Sequence, residues 1–278
     1  MLGFRGKKPI RFMDFVEEGI SAGDIATKGV VSLKENDTFH SALKLALSGY
    51  RLIPILDSKG ENVMGVATSR EVLDFLGAGP LSGKAGKKPL ETKVKILMKR
   101  PSIGIDAKES ARGVMESFRE NNVDMHHVEK GGKLHGIITE SDITYRIRGN
   151  VGLKVGDVMT RSTFFVNDDD RLANVARLLA IGPYRKLPVV TDGFLVGIVT
   201  PFDVMKHLNE SRRLSSVRTN NTRISEVMNR NVATIGPGAD VADAVALMRR
   251  KNVSGLPVTE EDNLVGIITE RDIIDAMR

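Results

Sequence analysis

Apolar residues recur along this chain in four stripes of helical spacing, starting at Phe39, Ala111, Leu172 and Val241. The third runs through Leu172, Val175, Ala176 and Leu179, the fourth through Val241, Ala244, Val245 and Met248. This i, i+3, i+4, i+7 pattern predicts amphipathic helices. After each stripe comes a short apolar strand, Ile53-Pro54-Ile55, Leu187-Pro188-Val189 and Leu256-Pro257-Val258, with His127-Val128 at that place in the second copy. A polar turn and a second strand follow, predicting a hairpin. The second strand ends in a recurring motif: Gly65-Val66-Ala67-Thr68-Ser69-Arg70-Glu71, Gly136-Ile137-Ile138-Thr139-Glu140-Ser141-Asp142, Gly197-Ile198-Val199-Thr200-Pro201-Phe202-Asp203 and Gly266-Ile267-Ile268-Thr269-Glu270-Arg271-Asp272. Beyond each threonine a second helix begins, with apolar positions such as Val204, Met205 and Leu208 or Ile273, Ile274 and Met277.

The chain is thus a fourfold repeat of β-α-β-β-α units, an α/β (α+β) fold class. A unit this small leaves a sheet face and two helix stripes uncovered, so repeats are expected to pair. The boundaries are a basic N-terminal segment at 1–20, repeat one at 21–78, a linker at 79–93, repeat two at 94–149, repeat three at 150–209, a linker at 210–222 and repeat four at 223–278. Phe4, Phe12, Phe15 and Val16 suggest a short docking helix in the first segment. Linker composition leaves open which repeats pair.

At 278 residues, 41% hydrophobic and 27% charged, the chain has the composition of a globular protein with room for two sizeable cores. It contains no cysteine, which excludes a disulfide framework and zinc–thiolate chemistry and fits a cytoplasmic location. No apolar run approaches the roughly 18 residues of a membrane span. The net charge of +6 favours an anionic partner, but the basic residues are dispersed except at Arg5, Lys7, Lys8 and Arg11 and in the linkers. Small phosphates are therefore expected ahead of nucleic acid.

Three local patterns mimic other chemistries. Gly79-Pro80-Leu81-Ser82-Gly83-Lys84-Ala85 approximates a P-loop, but its glycines are too close, Ala85 replaces the hydroxyl residue, and it follows a helix. The five histidines form no metal spacing, and adjacent His126 and His127 on a strand point to opposite faces. Asp168-Asp169-Asp170 precedes the third stripe, where helix capping is its expected role. No metal site, catalytic cofactor or catalytic constellation emerges, so the chain reads as non-enzymatic.

In its Val158-Met159 and Val227-Met228 pairs, the related Leu97-Met98, its Leu-Pro-Val strands and Gly-Ile-Ile-Thr-x-x-Asp, the chain resembles the CBS domain, the regulatory module named after cystathionine β-synthase, from about Ile25 onward. The resemblance implies that consecutive repeats pair into two Bateman modules forming a disc, as in the γ subunit of AMP-activated protein kinase and its stand-alone archaeal relatives. It also implies an adenine nucleotide, or an adenosyl ligand such as S-adenosylmethionine or methylthioadenosine, in clefts between paired repeats.

The residues suit such a ligand. A threonine at a helix N-terminus stands beside free N–H groups that favour phosphate oxygens. An aspartate one turn on can accept hydrogen bonds from ribose hydroxyls. The competing reading is a helix capping box, which needs no ligand. Thr68 and Glu71 fit that box well, whereas the shorter aspartates of the other repeats are less suited to it, which selects Thr139 and Asp142, Thr200 and Asp203, and Thr269 and Asp272 for ribose binding. Family position assigns phosphate contacts to Arg185 and Lys186 in repeat three and Arg51 in repeat one. Repeat four carries neutral Ser254 and Gly255 there and must draw charge from Arg271 or a partnered repeat. The adenine edge is assigned to main chain around Thr234-Ile235 and Phe165-Val166.

The first expectation is an adenine-nucleotide sensor (AMP, ADP or ATP) that transmits occupancy to a protein target, with a homodimer as an option. A sensor of S-adenosylmethionine or methylthioadenosine is the alternative, and a nucleic-acid accessory protein a more distant one.

Overall fold

The computed structural model describes residues 10, 11, 15, 19–84, 88–98, 103–121, 123, 125–211, 217 and 221–277. Of the expected N-terminal helix, Phe4, Phe12 and Val16 lie outside the described residues, and Phe15 packs on an apolar core. Repeat one comprises α1 (Ala22–Ile25), β1 (Leu33–Lys34), α2 (Phe39–Leu47), β2 (Leu52–Leu56), β3 (Val63–Thr68) and α3 (Ser69–Leu73). Repeat two holds β4 (Gly104–Asp106), α4 (Ala111–Asn121), β5 (Met125–Lys130), β6 (Lys133–Thr139) and α5 (Glu140–Thr144). Repeat three holds α6 (Val155–Val158), β7 (Val166–Asn167), α7 (Leu172–Ile181), β8 (Leu187–Thr191), β9 (Phe194–Val199) and α8 (Pro201–Glu210). Repeat four holds α9 (Val241–Lys251), β10 (Gly255–Glu260), β11 (Asn263–Thr269) and α10 (Glu270–Ala276).

All four predicted stripes begin at the first residue of a helix: α2, α4, α7 and α9. Each hairpin is antiparallel with a register shift at one equivalent point, for example between Val189 and Val190 and between Val258 and Thr259. In repeats one to three the first strand pairs parallel to the hairpin. Repeat four departs from the expected pattern, because its first strand is reduced to one parallel bridge from Ile235 to Val258. Asp170 does not cap α7 as expected. Arg171 takes the cap position, and the Asp170 carboxylate accepts the Asn167 amide at 2.9 Å.

Backbone pairing settles which repeats belong together. The segment leading into repeat one crosses the last strand of repeat two, where Thr27 and Ile137 exchange N–H···O bonds of 2.9 and 3.1 Å. Thr160 of repeat three pairs likewise with Ile267 of repeat four at 2.9 and 3.0 Å, and Asn229 of repeat four with Ile198 of repeat three at 2.8 and 3.0 Å. Two of the motif glycines, Gly136 and Gly266, make room for this crossing. A β-carbon on Gly136 would stand 2.6 Å from the Thr27 carbonyl oxygen, and one on Gly266 would stand 2.8 Å from that of Thr160. Repeats one and two therefore form one Bateman module, and three and four the other.

Helices then join module to module. One apolar core unites repeats one and three, including Phe39, Leu73, Leu172, Leu179 and Val204. A second unites repeats two and four, including Val114, Phe118, Ile143, Val245 and Ile273. Each such side chain contributes on the order of 1.5–3 kcal/mol when fully buried. Strand exchange links one to two and three to four, helix packing links one to three and two to four, and the ring closes.

Two arginines clasp this ring. Arg271, at the start of α10, donates to the carbonyls of Phe118 and Val123 just after α4, the Val123 contact at 2.7 Å. Arg70 of α3 does the same for Gly182 and Ala180 at the end of α7. These are the helix ends whose carbonyls lack intrahelical partners.

One core position breaks the apolar rule. Where other repeats place Ile53, Leu187 and Leu256, β5 carries His126, 0% exposed. Its ring lies edge-on to Phe118 at a centroid distance of 4.4 Å, Nδ1 is 3.4 Å from the Ile103 carbonyl oxygen, and Nε2 has no partner among the described residues. Burial pushes its pKa down to about 4, against the opposing Ile103 carbonyl. His127 Nε2 lies 3.0 Å from Glu129 Oε1, over Gly104, whose β-carbon would be 2.7 Å from that nitrogen. Among the described residues no group of His, Asp and Glu side chains is placed to hold a metal ion.

His126→Leu is expected to stabilise the protein by about 1–3 kcal/mol, the cost of a buried unsatisfied polar group. Folded His126 binds its proton less readily than the unfolded chain, so wild-type stability should fall as pH drops from about 6.5 toward about 4. Urea unfolding at pH 7 and 4.5 should show this loss in the wild type and a smaller one in the variant. Arg271→Ala removes a charged donor from two carbonyls and should cost about 2–4 kcal/mol in the same assay.

Candidate functional site

Every strand-to-helix corner is a capping box. The Thr68 amide donates to Glu71 Oε2 at 2.9 Å, Thr139 to Asp142 Oδ2 at 2.7 Å, Thr200 to Asp203 Oδ2 at 2.8 Å and Thr269 to Asp272 Oδ2 at 2.7 Å. The expectation that the shorter aspartate is less suited to this role is corrected, because all three aspartates complete the box. The threonine backbone is extended, with φ between −128° and −115°, and turns its N–H onto the first helical turn within the shorter side chain's reach.

Capping uses only one aspartate oxygen. Oδ1 of Asp272 accepts from the Thr160 hydroxyl at 2.8 Å, and Oδ1 of Asp142 from the Thr27 hydroxyl at 3.4 Å. Each of these clefts is therefore composite, with the carboxylate from repeat two or four and the opposing hydroxyl from the crossing segment of repeat one or three. The crossing of Asn229 over Ile198 brings the corresponding segment of repeat four to the strand that leads into Asp203. Burial pushes the Asp203 carboxyl pKa up, with the Thr200 hydroxyl and amide opposing.

The cations also cross between repeats. Lys186 Nζ donates to Ser254 Oγ at 2.9 Å and would lie 3.0 Å from a β-carbon on Gly255, the residue that pairs with Thr269. Repeat three thus delivers the charge that repeat four lacks. Protein packed around the Lys186 ammonium lowers its pKa to about 7, with Arg51 and Arg185 lowering it further and Glu270 opposing. Arg185 Nη1 stands 3.3 Å from Glu140 Oε2, and 41% of the Arg185 side chain is accessible. Burial opposes the ionised forms of Glu270 and Tyr145, and the charge of Arg51, an exposed residue of repeat one, favours them.

Two carboxylates complete this centre. Glu140 and Glu270, each directly after a motif threonine, are 4% and 3% exposed. Arg271 Nε lies 2.6 Å from Glu140 Oε1, an ion pair that is out of line for a hydrogen bond. Ser141 Oγ donates to Glu270 Oε1 at 2.8 Å. Burial raises the pKa of both, that of Glu140 to about 7, with Arg271 opposing.

The remaining predicted residues divide. Val166 is buried on β7, while Phe165 is 48% exposed and its neighbour Phe164 stacks on Tyr184 at 4.9 Å. Thr234 is exposed, and the main chain of Ile235 is committed, its N–H to the Pro257 carbonyl and its C=O to the Thr259 amide. Arg271 is engaged by Glu140 and two carbonyls, so its first task is structural. The P-loop mimic is a 3-10 turn at Pro80–Lys84 with Ala85 outside the described residues. Sequence reading passed over Thr27, Thr160, Glu140, Glu270 and Tyr184. Its available signals were the matching Thr27-Lys28 and Thr160-Arg161 pairs and the shared Thr-Glu step at 139 and 269.

Known proteins share this architecture. The model of the CBS domain family matches residues 22–78, 94–149, 155–210 and 224–278. Protein MJ1225 of Methanocaldococcus jannaschii is 27% identical over 265 residues, covering 89% of this chain and 95% of its own. Its crystal structure, described as that of a candidate archaeal homologue of g-AMPK, superposes with a TM-score of 0.82 over 92% of this chain and 99% of that one. A protein of Thermofilum pendens from a ribosomal RNA operon is 25% identical over 240 residues, 81% of this chain and 79% of its own. A conserved protein of Pyrococcus horikoshii shares the fold at a TM-score of 0.63 and 20% identity, over 92% of this chain and 98% of that one. With four family matches covering most of its length and a ring closed by strand exchange and helix packing, the chain belongs to the CBS domain family.

Proposed function

We propose that this chain is a non-enzymatic sensor of adenine nucleotides that transmits cleft occupancy to a protein target. CBS domains serve as regulatory modules, and the observation that carries the ligand reading is the convergence of Arg51, Arg185 and Lys186 on the corners formed by Thr139–Asp142 and Thr269–Asp272. The second oxygen of each aspartate accepts a hydroxyl from the crossing segment, a bond that ribose hydroxyls can take over. A phosphate then points toward the central cations, where partial exclusion of water strengthens the attraction. Phe164, Tyr184 and the main chain near Phe165 offer a stacking face for the base.

Sensing requires differential affinity for two arrangements of the modules, and a coupling of about 1–3 kcal/mol suffices. The ring gives that coupling a route, since each cleft draws on two repeats whose helices pack on the opposite module. A second ligand class, a methylthioadenosine or S-adenosylmethionine, is favoured by the neutral Ser254 and Gly255 of repeat four. The dispersion of the basic residues along the sequence does not favour nucleic acid, and among the described residues no helix is long and apolar enough to cross a membrane. A cytoplasmic location fits this role.

Calorimetric titration with AMP should show binding that Asp272→Ala weakens by about tenfold to a hundredfold, the scale of losing hydrogen bonds to a charged acceptor. Asp272→Asn keeps an acceptor for the Thr269 amide and separates loss of ligand from loss of the cap. AMP affinity should rise as pH falls from 8.5 to 7, because phosphate favours protonated Lys186, whose pKa of about 7 lies inside that window's lower edge. Absence of heat with AMP, together with heat from methylthioadenosine alone, would replace the nucleotide reading by the adenosyl one.

A further inference from the structure

Apart from the strand-to-helix corners, a cavity of about 450 Å³ lies between repeats two and four. Its two walls have different origins. One is the face of α9 that carries Ala242, Val245 and Ala246 at helical spacing, and the other is the turn after α5, with Ile147. Val245 and Ile147 belong to the apolar core that these two repeats share, so the floor of the cavity is the outer edge of that core. The alanines on α9 leave the space that longer side chains would fill.

Three arginines complete the lining, Arg249 and Arg250 from the last turn of α9 and Arg148 from repeat two. All three are exposed. Arg148 is fixed at its place, because its Nη1 donates to the carbonyls of Tyr145 and Ile147, the latter at 3.0 Å. The ion pairs among the described residues involve neither Arg249 nor Arg250. Cations in a final helical turn offset the helix dipole, which accounts for these two as residue types. It does not account for a third guanidinium brought from another repeat, for the apolar cavity between them, or for a lining without a single carboxylate.

We propose that this cavity binds an amphipathic anion, a small molecule with an apolar body and a carboxylate or phosphate head. The body covers Val245, Ile147 and the alanines, and the guanidinium forks pair with the oxygens of the head. A head without a body leaves the apolar floor in water. A body without a head leaves three like charges uncompensated. Size selects a small molecule over a folded segment, since cavities of about 300–1,000 Å³ are those that enclose small ligands. The lining shares no residue with the clefts of Asp142, Asp203 and Asp272, so the site stands whether or not those clefts take a nucleotide. Its occupant bridges repeats two and four.

The test titrates octanoate, octyl phosphate and uncharged octanol into the full chain by calorimetry, each below the concentration at which it forms micelles. The better of the two anions should bind at least about tenfold more tightly than octanol, the scale of hydrogen bonds to charged groups. Inorganic phosphate alone should bind more weakly than octyl phosphate. Joint replacement Arg249→Gln and Arg250→Gln should weaken that anion about tenfold and leave octanol unchanged. Ala246→Trp, at an exposed position of α9, should fill the cavity and abolish binding of all three compounds. These variants should unfold in urea as the wild type does and keep its affinity for AMP, which separates this site from the nucleotide clefts. Equal affinity for octanol and both anions, anion binding that survives the arginine and Ala246 replacements, or no heat from either anion at millimolar concentration overturns the proposal. Sedimentation with phosphatidylglycerol vesicles distinguishes the source of the head group. Wild type should stay in the supernatant, and its co-sedimentation, lost in the arginine variant, overturns a free ligand in favour of a membrane lipid.

Discussion

The structure depends on one repeated interaction, the reciprocal pair of backbone hydrogen bonds by which a repeat's lead-in segment crosses the last strand of its partner. Backbone amides there find no partner within their own repeat, and a buried unpaired amide is costly, so a single repeat is an incomplete object. The crossing also demands a strand without a β-carbon, which makes the motif glycine a packing requirement. Because the crossing segment ends at Thr27 or Thr160, it creates a ligand cleft in the same step: the hydroxyl that meets Asp142 or Asp272 belongs to the other repeat. Pairing and site formation are one event.

Much of this was legible in the sequence because it is local. Helix stripes, the hairpins and the Thr-x-x-Asp corners depend on residues three or four apart, and all four stripes began at their predicted residue. What escaped was non-local or chemical in a way spacing does not encode. Arg185 and Lys186 read as charges of repeat three, but side chains that long cross to a neighbouring repeat, and no periodicity reports their direction. Asp203 and its counterparts looked less suited to capping because backbone conformation at the threonine, which sets the reach required, has no signature in side-chain length. Ile235 shows the opposite limit: a strand that aligns with three others shrank to one bridge.

The central charges are organised differently from a surface ion-pair network. Their cations come from repeats one, three and four, their carboxylates from two and four, and burial makes the ionised state costly for Glu140, Glu270, Arg185 and Lys186. Such a cluster is poorly suited to holding a protein together, since desolvation offsets most of the attraction. It is well suited to exchanging partners, and the apolar cores on either side carry the stability that lets it do so.

The hairpin tips of the second module add an asymmetry. Asn263 pairs with Phe194 and the Leu195 amide donates to the Asp262 carbonyl, so the hairpins of repeats three and four fuse into one five-stranded sheet, while those of repeats one and two remain separate three-stranded sheets. Shear between repeats three and four must break this seam, whereas among the described residues the hairpins of repeats one and two share no strand pairing. A rearrangement driven from the centre therefore works against a backbone seam between the hairpins of repeats three and four that, among the described residues, the hairpins of repeats one and two do not share.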